Sequence, residues 1–105
     1  MIPFVKREGK SHKIGIRCKD KIELSIIIED PNGNVEIFLP DIKDLQANSF
    51  YDLTYLCNVN LKKVRKSGDD YFVFFEPEKK GKFIAKFLIN KGNEKLMLKQ
   101  DFYIN

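Results

Sequence analysis

Residues 71–89 read YFVFFEPEKKGKFIAKFLI. Two strand-like runs flank Pro77 and Gly81. In the first, Tyr71, Val73 and Phe75 alternate with Phe72, Phe74 and Glu76. Both sets are mostly apolar, as in a central strand covered on both faces. Pro77 ends the run, because proline has no N–H to give a ladder. Glu78, Lys79 and Lys80 make a polar connection, and Gly81 supplies backbone freedom at the return. In the second run Phe83, Ala85, Phe87 and Ile89 fall on one face at period two. Lys82, Ile84, Lys86 and Leu88 fall on the other.

The same grammar extends in both directions. Ile14, Ile16 and Cys18 alternate with basic and small residues. Ile22, Leu24, Ile26 and Ile28 form the cleanest half-buried strand. Asp30-Pro31-Asn32-Gly33-Asn34 is a strong turn signal, since Asn-Gly tolerates the positive φ that a tight hairpin requires. Val35, Ile37 and Leu39 answer as the returning strand, and Pro40 stops it. Residues 41–49 are the only helix-like piece, with Asp41 as cap and Ile42 and Leu45 facing inward. Tyr51, Leu53, Tyr55, Cys57, Val59 and Leu61 share one apolar parity, as one long strand or two. Lys66 to Asp70 and Asn90 to Glu94 read as turns, and Leu96, Leu98, Phe102 and Ile104 as the final strand. Seven or eight mainly antiparallel strands with frequent turns make an all-β, two-sheet sandwich.

The spacing Tyr71-x-Val73-x-Phe75-x-Pro77-x-x-x-Gly81-x-Phe83-x-Ala85-x-Phe87 resembles the repeat signature of filamin-type immunoglobulin-like domains. Lys66-Ser67-Gly68-Asp69-Asp70 resembles the turn before that motif, with Asp70 where the family has Gly. Asp101-Phe102-Tyr103-Ile104 resembles the closing strand, without the family's Pro-rich approach. The match covers about the last 40 residues. It implies an immunoglobulin-like β-sandwich over residues 12–105. Residues 1–11, a basic stretch without clear period, contain Pro3 and Gly9, which argue for an extended arm or a ragged first strand. It further implies a protein-binding or spacer module, to which peptides add as an extra strand at an exposed sheet edge.

Composition bounds the rest. The 105 residues are 43% hydrophobic, enough for one core and not two. No apolar run approaches the roughly 20 residues of a membrane helix. The start, Met-Ile-Pro-Phe-Val-Lys-Arg, lacks the charged-then-apolar order of a signal peptide. The expected setting is intracellular and cytoplasmic, for a whole protein or for a domain of a longer one. Cys18 and Cys57 could bridge two sheets, but there is no Trp to pack on a bridge, and two buried free thiols are the preferred reading. The net charge of +4 is uneven: residues 1–21 hold seven basic and two acidic residues of the 19 and 15 in the chain.

Catalytic equipment is sparse. His12, the single histidine, reads as a surface residue beside Lys10 and Lys13. A zinc site from His12, Cys18 and Cys57 would be short of ligands. Asp52, Asp69 and Asp70 could gather on a calcium ion, but turn residues bonding their own backbone explain the last two better. No enzyme activity, metal or cofactor is expected.

The expected function is a non-catalytic protein-interaction or structural module. Its binding edge is the run 50–57, where Asp52, Thr54 and Leu56 point outward and Leu56 offers apolar contact to an added strand. The second reading is a basic nucleic-acid-binding β-barrel, with Lys62, Lys63, Arg65 and Lys66 on phosphates. The aromatics sit on apolar-parity positions, which suits a core better than base stacking, so DNA or RNA binding at physiological salt is not expected. The third reading is a phage or pilus-like assembly subunit whose arm docks on a neighbour.

Overall fold

A computed structural model of the chain describes residues 1–52 and 62–105. These residues contain eight strands: β1 (Ile2–Glu8), β2 (Ser11–Arg17), β3 (Glu23–Glu29), β4 (Val35–Phe38), β5 (Arg65–Ser67), β6 (Asp70–Phe75), β7 (Gly81–Lys91) and β8 (Glu94–Ile104). A single 3₁₀ turn, Ile42–Asp44, follows β4. The strands form two four-stranded antiparallel sheets, ordered β1-β2-β6-β5 and β4-β3-β7-β8. The protein is an all-β, two-sheet structure packed face to face.

The core lies between the sheets and follows from the alternation. Ile14, Ile16, Tyr71 and Val73 of the first sheet are at most 2% exposed, and so are Leu24, Ile26, Ile28, Phe83, Ala85, Phe87 and Ile89 of the second. Each large apolar side chain so buried contributes about 1.5–3 kcal/mol relative to exposure. At one end Phe75, Phe83 and Phe102 form an aromatic cluster, with ring centroids 5.3–6.4 Å apart. At the other end the buried Tyr71 keeps its phenol satisfied. Its hydroxyl accepts from the Ile22 N–H and donates to the Asp20 carbonyl, both at 3.2 Å. Those bonds pin the crossover from β2 to β3.

The runs around Pro77 and Gly81 do not pair with each other. Both are strands, but β6 belongs to the first sheet and β7 to the second, so residues 76–80 carry the chain across the sandwich. The Asp30–Asn34 hairpin forms as the sequence indicates. The Asp30 carboxylate accepts from the N–H groups of Asn32 and Asn34, and Gly33 takes φ +85°.

Several sequence expectations need correction. Of the two readings of the N-terminal stretch, residues 2–8 form a strand and not an arm: β1 pairs with β2 along its whole length. Val35 and Ile37 face outward, 56% and 48% exposed, because Ile37 lies opposite the outward Ile27 and Phe38 opposite the buried Ile26. Ile42 is 38% exposed and Asp44 is buried instead. The Asp41 carboxylate caps the Lys43 N–H, which makes a tight three-residue turn with no room for an inward i, i+3 face. Burial pushes the Asp44 carboxyl up from its ordinary range. Cys18 is free and buried; Cys57 lies outside the described residues.

Candidate functional site

The sandwich is unequal on its two sides. On one side β1 lies against β8. On the other, among the described residues, the β4 and β5 sides are joined where Leu39 bridges Lys63: the Leu39 N–H donates to the Lys62 carbonyl at 2.9 Å, and the Val64 N–H donates to the Leu39 carbonyl at 2.8 Å. Next to this stitch lies a cleft of about 930 Å³. Ile28, Phe38, Val64, Val73, Phe75 and Phe83 line it with apolar surface continuous with the core.

Its charged lining comes from several elements. Lys62, Lys63, Arg65 and Lys66, grouped in the sequence as the basic cluster, all reach it. Lys43 and Lys79 join them from distant segments, as do Asp30, Glu36, Glu76 and Glu78. Among the described residues four of these charges form two ion pairs: Lys62 with Glu36, and Lys79 with Asp30 at 3.0 Å. The Lys79 hydrogen bond holds the Asp30 carboxyl below its ordinary range, helped by the Asn34 and Asn32 N–H groups. The Arg65 guanidinium lies 5.8 Å from the Phe74 ring centroid, and the Lys66 ammonium 5.4 Å from that of Tyr71.

The cleft also has a bare strand edge. β5 pairs with β6 only over Arg65–Ser67 against Asp70–Phe72. Among the described residues, Val73, Phe74 and Phe75 have β2 on one side and no ladder partner on the other. The sequence shows no mark of this, because strand length and sheet membership are tertiary facts.

Of the edge read over residues 50–57, Asp52 is exposed, while Thr54 and Leu56 lie outside the described residues. The segment leading to Asp52 is anchored on the second sheet. The fully buried Glu23 carboxylate accepts from the Ser49 hydroxyl and, at 2.9 Å, from the Asn90 side-chain amide. The Asn90 amide and the Lys95 ammonium both donate to the Asn48 carbonyl, at 3.0 and 2.6 Å. These buried polar residues went unnoticed in the sequence because isolated Glu and Asn within strands carry no motif.

His12 is not a plain surface residue. It is half-buried, its ring packs 5.7 Å from that of Phe102, and its Nδ1 is buried without a hydrogen-bond partner. Burial, with Arg7 nearby, holds its pKa below the ordinary histidine value. Among the described residues no carboxylate bonds its Nδ1. The ring borders a smaller hollow of about 330 Å³ with Arg7, Lys10, Glu76 and Tyr103. Asp70, weighed above as a calcium ligand, instead binds Arg17 at 2.8 Å and Lys13 at 3.1 Å, and these cations lower its pKa. Among the described residues no group of three or more His, Cys, Asp or Glu side chains gathers as a metal ion would need. No described helix is long and apolar enough to cross a membrane.

Comparison with family models, with curated proteins and with solved structures returns no match for this chain.

Proposed function

We propose that the chain is a non-catalytic interaction module on an immunoglobulin-like sandwich, and that it takes a partner polypeptide as an added strand. The strand orders support the fold part of this reading. Lettered along the chain, β1-β2-β6-β5 corresponds to A-B-E-D and β4-β3-β7-β8 to C′-C-F-G, the arrangement of that fold class. The free, buried thiol of Cys18 fits a reducing compartment.

The observation that carries the binding part is the unpaired edge of Val73–Phe75 beside an open cleft. An added strand would continue the line of β5 along β6. Its backbone would satisfy N–H and C=O groups that otherwise face water. Alternate side chains would enter the apolar lining at Phe38, Val64 and Phe75, and the others would lie beside Phe74 and Arg65. Affinity would come from the ladder and selectivity from the alternation.

The test is a peptide selected from a displayed library against the folded protein, followed by amide hydrogen exchange. Protection on residues 73–76 is the expected result. Protection confined to residues 50–57, or to β1, would overturn the assignment to the β6 edge.

A further inference from the structure

The outward face of the β1-β2-β6-β5 sheet carries a pattern that the sequence reading, which puts the aromatics inside, does not contain. The register sets Phe4, Gly15, Phe72 and Arg65 side by side across all four strands. The adjacent row is Lys6, Lys13 and Phe74, and the row on the other side begins with Ile2, Arg17 and Asp70. Val64 is buried, so by alternation its neighbours Lys63 and Arg65 turn outward together. Phe75 is likewise buried, so Glu76 turns outward with Phe74. Among the described residues five cations (Lys6, Lys13, Arg17, Lys63 and Arg65) therefore surround the aromatic row, against three carboxylates, Glu8, Asp70 and Glu76, and Asp70 pairs with Lys13 and Arg17.

Phe4 and Phe72 have a structural task. They flank Gly15, where a side chain cannot fit, and cover the backbone it leaves open. Phe72 is only 7% exposed, and the Lys13 ammonium lies 4.4 Å from its ring centroid. Phe74 covers no such gap. It is 44% exposed, stands edge-on to Phe72 with centroids 5.3 Å apart, and has the Arg65 guanidinium 5.8 Å from its own centroid. A ring held on a rigid central strand among cations offers a stacking surface with phosphate-binding groups around it.

We infer that this sheet face binds single-stranded nucleic acid, with a base stacked on Phe74 and phosphates on Lys63, Arg65 and Lys13. The positive surface selects a polyanion. The exposed ring selects one with unstacked bases, which a duplex keeps stacked within itself. The surface adjoins the ladder edge of β6 and shares Phe74 and Arg65 with it, but stacking uses the Phe74 ring and strand addition uses the β6 backbone.

The experiment is fluorescence anisotropy with a labelled short oligothymidine at low salt. A duplex of the same length and inorganic polyphosphate serve as comparison ligands. Phe74→Ala should weaken oligothymidine binding about tenfold or more, as removal of a stacking aromatic does. Phe74→Tyr should restore it. Arg65→Glu should weaken binding and flatten its salt dependence, since fewer counterions are released. Tyr103→Ala, which removes a 66%-exposed ring from the other sheet, should change nothing. Circular dichroism of each variant checks the fold. Binding unchanged in Phe74→Ala, duplex or polyphosphate bound as tightly as oligothymidine, or no binding at low salt would each overturn the inference.

Discussion

Gly15→Ala is expected to lower the denaturant midpoint of unfolding by a large fraction of its value. Gly15 sits on β2, between Phe4 on β1 and Phe72 on β6. A Cβ built there would lie 2.0 Å from the Tyr71 carbonyl oxygen and 2.8 Å from Phe72 Cα. Both obstacles are backbone, so no rotamer change relieves them. Making room means separating β2 from β6 in the middle of the first sheet, where Ile14, Ile16, Tyr71 and Val73 enter the core. A cost above about 4 kcal/mol is expected, against a whole-domain stability of about 5–15 kcal/mol. Gly9→Ala is the control: its Cβ would meet nothing within 4 Å, and the expense is only that of φ +64°, on the order of 1 kcal/mol. Denaturant midpoints followed by far-UV circular dichroism make the comparison. Equal midpoints for the two variants would show the β2–β6 register to be wrong.

Phe83→Ala is the second large effect. Phe83 is 1% exposed, stacks on Phe102 with centroids 5.3 Å apart and meets Phe75 at 5.8 Å. Truncation removes a ring that joins the two sheets and leaves a cavity that three neighbouring strands cannot easily close. The expected loss is about 3–5 kcal/mol. It should appear as a lower denaturant midpoint at unchanged slope, because the surface exposed on unfolding stays nearly the same. A midpoint within error of the parent would mean that Phe83 does not face the core.

Much of the fold is legible in the sequence because alternation is a local property. The period-two runs of Ile22–Ile28 and Phe83–Ile89 sort their residues onto a buried face as read. The turn at Asp30–Asn34 carries its own chemistry in Asp30 and Gly33. Alternation does not say which strands share a sheet, and nothing around Pro77 reveals that β6 and β7 lie in opposite layers. Nor does it say which apolar set turns outward when both sets are apolar. Hence Phe74 on β6 and Val35 and Ile37 on β4 are exposed despite their composition.

The candidate site is legible in proportion to its contiguity. Lys62, Lys63, Arg65 and Lys66 stand together in sequence and remain together around the cleft. Lys43, Lys79 and Glu36 reach the same cleft from distant segments, and only the tertiary fold brings them there. Among the described residues the edge of β6 beyond Phe72 has no ladder partner because β5 is three residues long. No propensity of Arg65–Ser67 announces where pairing stops. The half-burial of His12 is hidden in the sequence for a similar reason, since its ring packs against Phe102, 90 positions away in the chain.

Both binding proposals rest on one structural claim: β6 lies between β2 and β5, in a different sheet from β7. Cross-strand nuclear Overhauser effects in the isotope-labelled protein test this directly. The account requires backbone contacts for Gly15 with Phe72 and for Ile14 with Val73 in the first sheet. In the second sheet it requires them for Ile28 with Ala85 and for Phe87 with Leu98. A backbone ladder between residues 70–75 and 81–91, as in a hairpin closed around Gly81, would contradict it and remove both the bare edge and the outward face.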